Sequence, residues 1–207
     1  MKLVSWNLRG LNSPGKLRML KNMIKMENPQ ICLLQETKCN GTTLGSILTK
    51  AWPGCRSVAV DASGASGGLA IAWNTQAIDL SDFHASHHLI QAAFHILGTN
   101  VHGNLSNVYF PQDTGSKIAL LDTIEALNNN RTHPLWIIGG DFNMITKLEE
   151  KIGGEKQTGT RKPPFQGLHP KCLPHRCAFL QWNIHMEQSQ SGKTPNFIQT
   201  RSHPYLR

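Results

Sequence analysis

Apolar positions along this chain recur with two spacings, and each spacing predicts a different element. Leu17, Leu20, Met23, Ile24 and Met26 fall three or four residues apart among lysines, which predicts a helix with one apolar face and one solvated face, ended by Asn28-Pro29. Lys117 to Asn128 repeats the pattern through Ile118, Leu121, Ile124 and Leu127, and predicts a second helix. Short unbroken apolar runs at Ile31 to Leu34 and Leu135 to Ile138 read as strands buried on both faces. Lys2 to Trp6, Val58 to Asp61, Gly68 to Trp73, His88 to His95 and Leu105 to Tyr109 complete the strand candidates, with Gly10 to Gly15 and Ser63 to Gly67 as loops. Strands and helices alternate, and several strands are adjacent. An α/β sandwich is predicted, two mixed sheets packed face to face with helices outside.

Composition divides the chain near residue 155. The formal charge is +8 over 207 residues. Up to Gly154, 13 Lys and Arg face 11 Asp and Glu, whereas Glu155 to Arg207 holds 8 against 2, and six of the 11 prolines. The basic excess that would suggest a polyanion partner therefore belongs to the tail. The first residues read as a strand and no stretch has the length of a membrane span, so a non-secreted protein without a membrane segment is expected. Cys32, Cys39, Cys55, Cys172 and Cys177 lack paired zinc spacing and suggest neither a finger nor a disulfide framework.

Polar groups follow three of the apolar runs directly: Trp6-Asn7, Gln35-Glu36 and Gly140-Asp141-Phe142-Asn143. Carboxylates at the ends of buried strands sit where α/β sheets place their sites, and hard oxygen donors of this kind suit magnesium. Taken singly, Asn7 reads equally as a turn former, Glu36 as a helix-terminus charge and Asp141 as an N-cap. His84, His87 and His88 have no carboxylate or cysteine nearby to complete a ligand set, and read as solvated histidines on a loop and strand.

Taken together, these motifs resemble a known family. Ser5-Trp6-Asn7-Leu8-Arg9-Gly10, Leu33-Leu34-Gln35-Glu36-Thr37-Lys38, Ser66-Gly67-Gly68-Leu69-Ala70-Ile71-Ala72-Trp73, Asn107-Val108-Tyr109-Phe110-Pro111 and Gly139-Gly140-Asp141-Phe142-Asn143 resemble, in order and spacing, the endonuclease/exonuclease/phosphatase family. The Trp-Asn-x-Arg-Gly and Gly-Gly-Asp-Phe-Asn-Met-Ile forms are most similar to the endonuclease of plant LINE-type retrotransposons. Arg9 stands where abasic-site enzymes of the family commonly carry Asp. The resemblance implies a four-layer, DNase I-like sandwich over residues 1–154, incomplete at the C-terminus, and Mg²⁺-dependent nicking of DNA, with Mn²⁺ as a substitute. It implies that Glu36 binds the metal, with Asn7 and Asp141 at the same centre, that Asp141 orients or deprotonates the attacking water, that Asn7 and Asn143 support it, and that Tyr109 donates to a phosphate oxygen. An intracellular protein is implied, nuclear if it serves a retrotransposon. The alternatives are an RNA or other phosphoester hydrolase of the same superfamily, and a non-catalytic basic fragment that binds nucleic acid.

The resemblance stops after Gly154, short of the family's Thr-Trp-Asn-Asn strand, Arg-Leu-Asp-Arg segment and terminal Asp-His pair. Ser202-His203-Pro204 lacks the Asp and lies too close to Asp141 to supply that pair. Regrouping codons one nucleotide downstream lets Ile184 to Gln190 encode Phe-Thr-Trp-Asn-Asn-Arg, and lets Ser191 to His203 encode a run ending Arg-Leu-Asp-Arg. This implies a frame shift near residue 155, an irregular or disordered tail over 155–207, and a chain that is weakly active or inactive.

Overall fold

A computed structural model describes residues 1–11, 13–64, 66–130 and 133–143, together with the backbone of the strand at 177–180. Nine strands and three helices run in the order β1(Leu3–Asn7), α1(Pro14–Glu27), β2(Ile31–Gln35), α2(Gly41–Ala51), β3(Cys55–Ser63), β4(Ser66–Asn74), β5(Ile78–Ser86), β6(Leu89–Ile96), β7(His102–Tyr109), α3(Thr114–Asn129), β8(Trp136–Asp141) and β9(Cys177–Leu180). They form a four-stranded sheet, β1-β2-β4-β3, and a five-stranded sheet, β5-β6-β7-β8-β9. β1 and β2 are parallel, as are β7, β8 and β9, while every other pairing is antiparallel.

Side-chain alternation assigns each strand's two faces. Leu33, Leu69, Ile71, Ile90, Ala92, Phe94, Leu105 and Ile137 form a buried cluster between the sheets. The opposite face of the first sheet packs Trp6, Cys32 and Leu34 against Leu20 and Met23 of α1 and Leu44 and Leu48 of α2. The outer face of the second sheet packs Leu89, Val108, Trp136 and Ile138 against Leu120 and Ile124 of α3. Four layers result, helix on sheet on sheet on helix, the sandwich predicted from the sequence.

Two elements had no signal in the periodicity. α2 carries Gly41, Thr42, Thr43 and Gly45, all poor helix formers, and owes its start to Asn40, whose side chain accepts the Thr43 N–H at 2.8 Å. β5 is an edge strand whose alternation is broken by a bulge between Ser81 and His84, where Asp82 takes φ 50°. The first helix also starts inside the expected loop, at Pro14, because Ser13 caps it by accepting the Lys16 N–H. The expected irregular tail lies mostly outside the described residues. Within it, the backbone of Cys177 to Leu180 forms β9, parallel to β8. No helix among the described residues is long and apolar enough to cross a membrane.

A buried polar bridge ties the two sheets together. The Gln35 side-chain amide donates to Ser5 Oγ at 3.1 Å and to Asn107 Oδ1 at 2.6 Å. Asn107 Nδ2 donates in turn to the carbonyls of Leu34, at 3.1 Å, and Ala70, at 2.8 Å. All three side chains are fully buried, so each unmade bond would carry a desolvation penalty.

Candidate active site

Inner-face alternation brings Asn7 (β1), Tyr109 (β7) and Asp141 (β8) to one end of the sandwich. On β1 the inner positions end at Asn7, on β7 at Tyr109, and on β8 at Asp141, which lies in register with Tyr109. Gln35 is the inner residue at the end of β2, so continued alternation would turn Glu36 outward. Instead Glu36 adopts φ 49°, a left-handed conformation rare for a residue with a side chain. The carboxylate is thereby brought across to Asn7, whose Nδ2 donates to Glu36 Oε1 at 2.8 Å and to Asp141 Oδ2 at 2.6 Å. Asn7 Oδ1 accepts the Arg9 N–H at 3.0 Å, which fixes the amide, since a flipped group would set oxygen against two carboxylates.

The remaining groups close the ring. Tyr109 donates its hydroxyl to Glu36 Oε1 at 3.3 Å. Burial and then the Glu36 charge push its phenol above the ordinary range. Asn143 takes φ 45°, donates its backbone N–H to Asp141 Oδ1 at 2.9 Å and its amide to the Phe110 carbonyl at 2.6 Å. Two glycines precede Asp141. At Gly140 an added Cβ would sit 1.9 Å from the Val108 carbonyl oxygen, so only glycine lets β8 approach β7 closely enough to present the aspartate. Gly68, at φ 87°, leaves equally little room beside Thr37 Oγ1, at the start of β4 next to Glu36.

Asn7, Glu36, Tyr109, Asp141 and Asn143 are thus brought into one connected cluster. The sequence reading missed one neighbour. His84 and His87 are exposed as expected of solvated histidines, but His88 is half-buried, stacks on the Tyr109 ring at 6.3 Å, and bonds through Nδ1 to the Tyr109 carbonyl at 3.0 Å. Burial, and then His87, hold its imidazole below its ordinary pKa. Its signal was positional: His88, one residue before β6, exchanges hydrogen bonds with Tyr109 of β7, a relation that no local motif carries.

The donor set fits a hard divalent cation. Two carboxylates, hard oxygen donors, lie within reach of one carboxamide, although among the described residues no group of three or more His, Cys, Asp or Glu side chains is placed to hold a metal ion. Magnesium characteristically takes one or two carboxylates and keeps water and phosphate oxygens for the rest.

Comparison with known proteins agrees with this architecture. The model of the Endonuclease/Exonuclease/phosphatase family matches residues 4–175. No curated protein matches the chain. Among solved structures, the chain is similar to a mannosyl-6-phosphatase from Bacteroides thetaiotaomicron, with 17% identity, 70% of this chain and 66% of that one covered, and a TM-score of 0.55. It is similar to a 3′ phosphatase from Neisseria bound to product DNA hairpin, with 21% identity, 70% and 58% covered, and a TM-score of 0.54. It is also similar to an AP endonuclease from Archaeoglobus fulgidus, with 20% identity, 72% and 59% covered, and a TM-score of 0.55. The chain therefore spans less than two thirds of the length of these structures.

Proposed function

Because the chain belongs to the endonuclease/exonuclease/phosphatase family, a phosphoesterase fold shared by nucleases and phosphatases, we propose that it carries the metal-binding and water-activating part of a DNA-nicking phosphodiesterase of the LINE retrotransposon type. The observation that carries this reading is the Asn7 amide, which spans Glu36 from one sheet and Asp141 from the other. Enzymes of the family generally use divalent metals, and here Glu36 and Asp141 would hold Mg²⁺ or Mn²⁺, while Asn7, expected at the same centre, orients both carboxylates through Nδ2. A bound cation of this kind neutralises charge on the scissile phosphate and leaving oxygen. Asp141 accepts the proton of the attacking water, its other oxygen steadied by the Asn143 N–H. Tyr109 donates its hydroxyl to a phosphate oxygen, a role that suits a phenol kept protonated by burial and by Glu36. DNA is favoured as substrate by the retrotransposon-like motifs and by the DNA product held by one similar structure.

The same proposal gives residues 155–207 to an altered reading frame and leaves this chain weakly active or inactive, since the terminal Asp-His pair is absent from it. The family match runs to residue 175, past Gly154, so genomic sequence flanking the Gly153 codon decides the point directly. The functional test is nicking of supercoiled plasmid with Mg²⁺ by three proteins: this chain, the chain with its downstream frame restored, and the restored chain carrying Glu36→Ala. Nicking by the restored chain alone is expected, the other two falling below it by about 10²-fold or more. Robust, Glu36-dependent nicking by the 207-residue chain would show that the Asp-His pair is dispensable. Nicking indifferent to Glu36 would overturn the site.

A further inference from the structure

His88 has an environment unlike that of the exposed His84 and His87 beside it. Inner-face alternation on β6 runs through Ile90, Ala92 and Phe94, so the same parity one step before the strand puts His88 on the face that carries Tyr109 and Asp141. His88, Tyr109 and Asp141 are then successive positions across β6, β7 and β8 at the site end of the sandwich, about 4.8 Å apart per strand. The pairing is two-sided. Tyr109 N–H donates to the His88 carbonyl at 2.9 Å, and His88 Nδ1 lies 3.0 Å from the Tyr109 carbonyl oxygen.

That second contact fixes the histidine's chemistry. A carbonyl oxygen only accepts, so Nδ1 carries the proton and donates, and the neutral ring keeps Nε2 as its unprotonated nitrogen. The ring is further restrained by its stacking on Tyr109, at 29° between planes, and by the edge of His87 at 4.9 Å. The Tyr109 hydroxyl donates to Glu36 on the opposite sheet at the long distance of 3.3 Å and also hydrogen-bonds the Asn143 side chain. The long Glu36 contact does not by itself fix a tyrosine rotamer, and the His88 ring lies alongside the phenol with 6.3 Å between ring centroids.

We propose that His88 is a positioning residue of the site, locked by the Tyr109 carbonyl and stacked on the Tyr109 ring so that the phenol hydroxyl is held toward Glu36. The inference rests on the reading of this cluster as the active site and adds a residue to it. His88 acts through Tyr109 rather than on substrate. Its effect is on the fraction of molecules whose phenol is in place.

The test uses the full chain, which contains two tyrosines, labelled with 3-fluorotyrosine and observed by ¹⁹F NMR. A Tyr205→Phe variant assigns the Tyr109 resonance. Glu36→Gln and titration with Mg²⁺ are each expected to move that resonance, because both alter the carboxylate that the phenol faces. In His88→Ala the Mg²⁺-induced movement is expected to shrink, reflecting about a fivefold shift toward released rings, the effect of losing one neutral hydrogen bond. His88→Asn keeps an N–H donor at the position of Nδ1 and is expected to restore the response; His88→Phe keeps a ring without the donor and is not. If His88→Ala fails to fold, the contrast between the Asn and Phe variants decides. A Tyr109 resonance that ignores Glu36→Gln and Mg²⁺ overturns the active-site reading itself. A resonance that answers to both but is the same in wild type, His88→Ala and His88→Phe overturns the role of His88 alone.

Discussion

The bridge between the sheets offers a quantitative test of how the site is held together. Asn107→Leu fills the same space without polar atoms, and removes three bonds: one to the Gln35 amide and two to the carbonyls of Leu34 and Ala70. At about 1 kcal/mol net for each bond the loss is about 3 kcal/mol, offset by about 1 kcal/mol from the added apolar group. Gln35→Met removes two bonds, to Ser5 and Asn107, and by the same arithmetic costs about 1 kcal/mol net. The 2.6 Å bond between the two amides is lost in both single variants but is lost only once in the double variant. The double variant should therefore be more stable than the sum of the singles predicts, by about 1 kcal/mol. Urea unfolding followed by tryptophan fluorescence reads this out. With a slope of about 2 kcal/mol per molar, Asn107→Leu should lower the midpoint by about 1 M. Strict additivity, or an Asn107→Leu midpoint indistinguishable from wild type, would show that the bridge is not formed between these side chains.

Further expectations follow from the same structure. Gly140→Ala drives a methyl group into the Val108 carbonyl, and should destabilise by more than the roughly 1 to 3 kcal/mol of ordinary overpacking; an unchanged melting temperature would refute the β7–β8 register. Asn40→Ala should cost about 1 kcal/mol and fray α2 first, seen as faster amide exchange at Thr43, because that helix has weak intrinsic propensity. His88 has its folded pKa depressed by burial, so the unfolded chain binds its proton more readily. Stability is intact above the ordinary value of 6.5 and is lost as pH falls below it. Against His88→Asn, wild type should therefore lose ground between pH 7 and about 5 in paired melting curves, and parallel curves would contradict the burial of that ring.

What the sequence disclosed follows from what is local. Ile31 to Leu34 and Leu135 to Ile138 announce buried strands because both faces are apolar, and the alternation of lysines with Leu17, Leu20 and Met23 announces α1. The polar residues just beyond such runs mark the site end of the sheet without reference to anything distant. α2 was illegible because its formation depends on one capping side chain and on packing against the first sheet, while its own residues disfavour a helix. β5 was illegible because most of its residues are exposed and a bulge interrupts its alternation. His88 read as solvent-facing because its partner lies on another strand, 21 residues away. The Gln35 to Asn107 bond spans 72 residues and has no local trace at all.

Glu36 carries a consequence that reaches past its own contacts. A strand in a sandwich offers the interior every second residue, so the rim of a buried strand has room for one inward group, here Gln35. Reversing the hand of a single residue, at φ 49°, gives the interior two in succession: an amide that ties the sheets and a carboxylate that Asn7 holds at their rim. The tie between the sheets and the candidate metal-binding carboxylate thereby fall on adjacent residues at one strand end, with no loop between them. The placement of the Glu36 carboxylate and the cohesion of the two sheets are thus set by the same few ångströms of backbone.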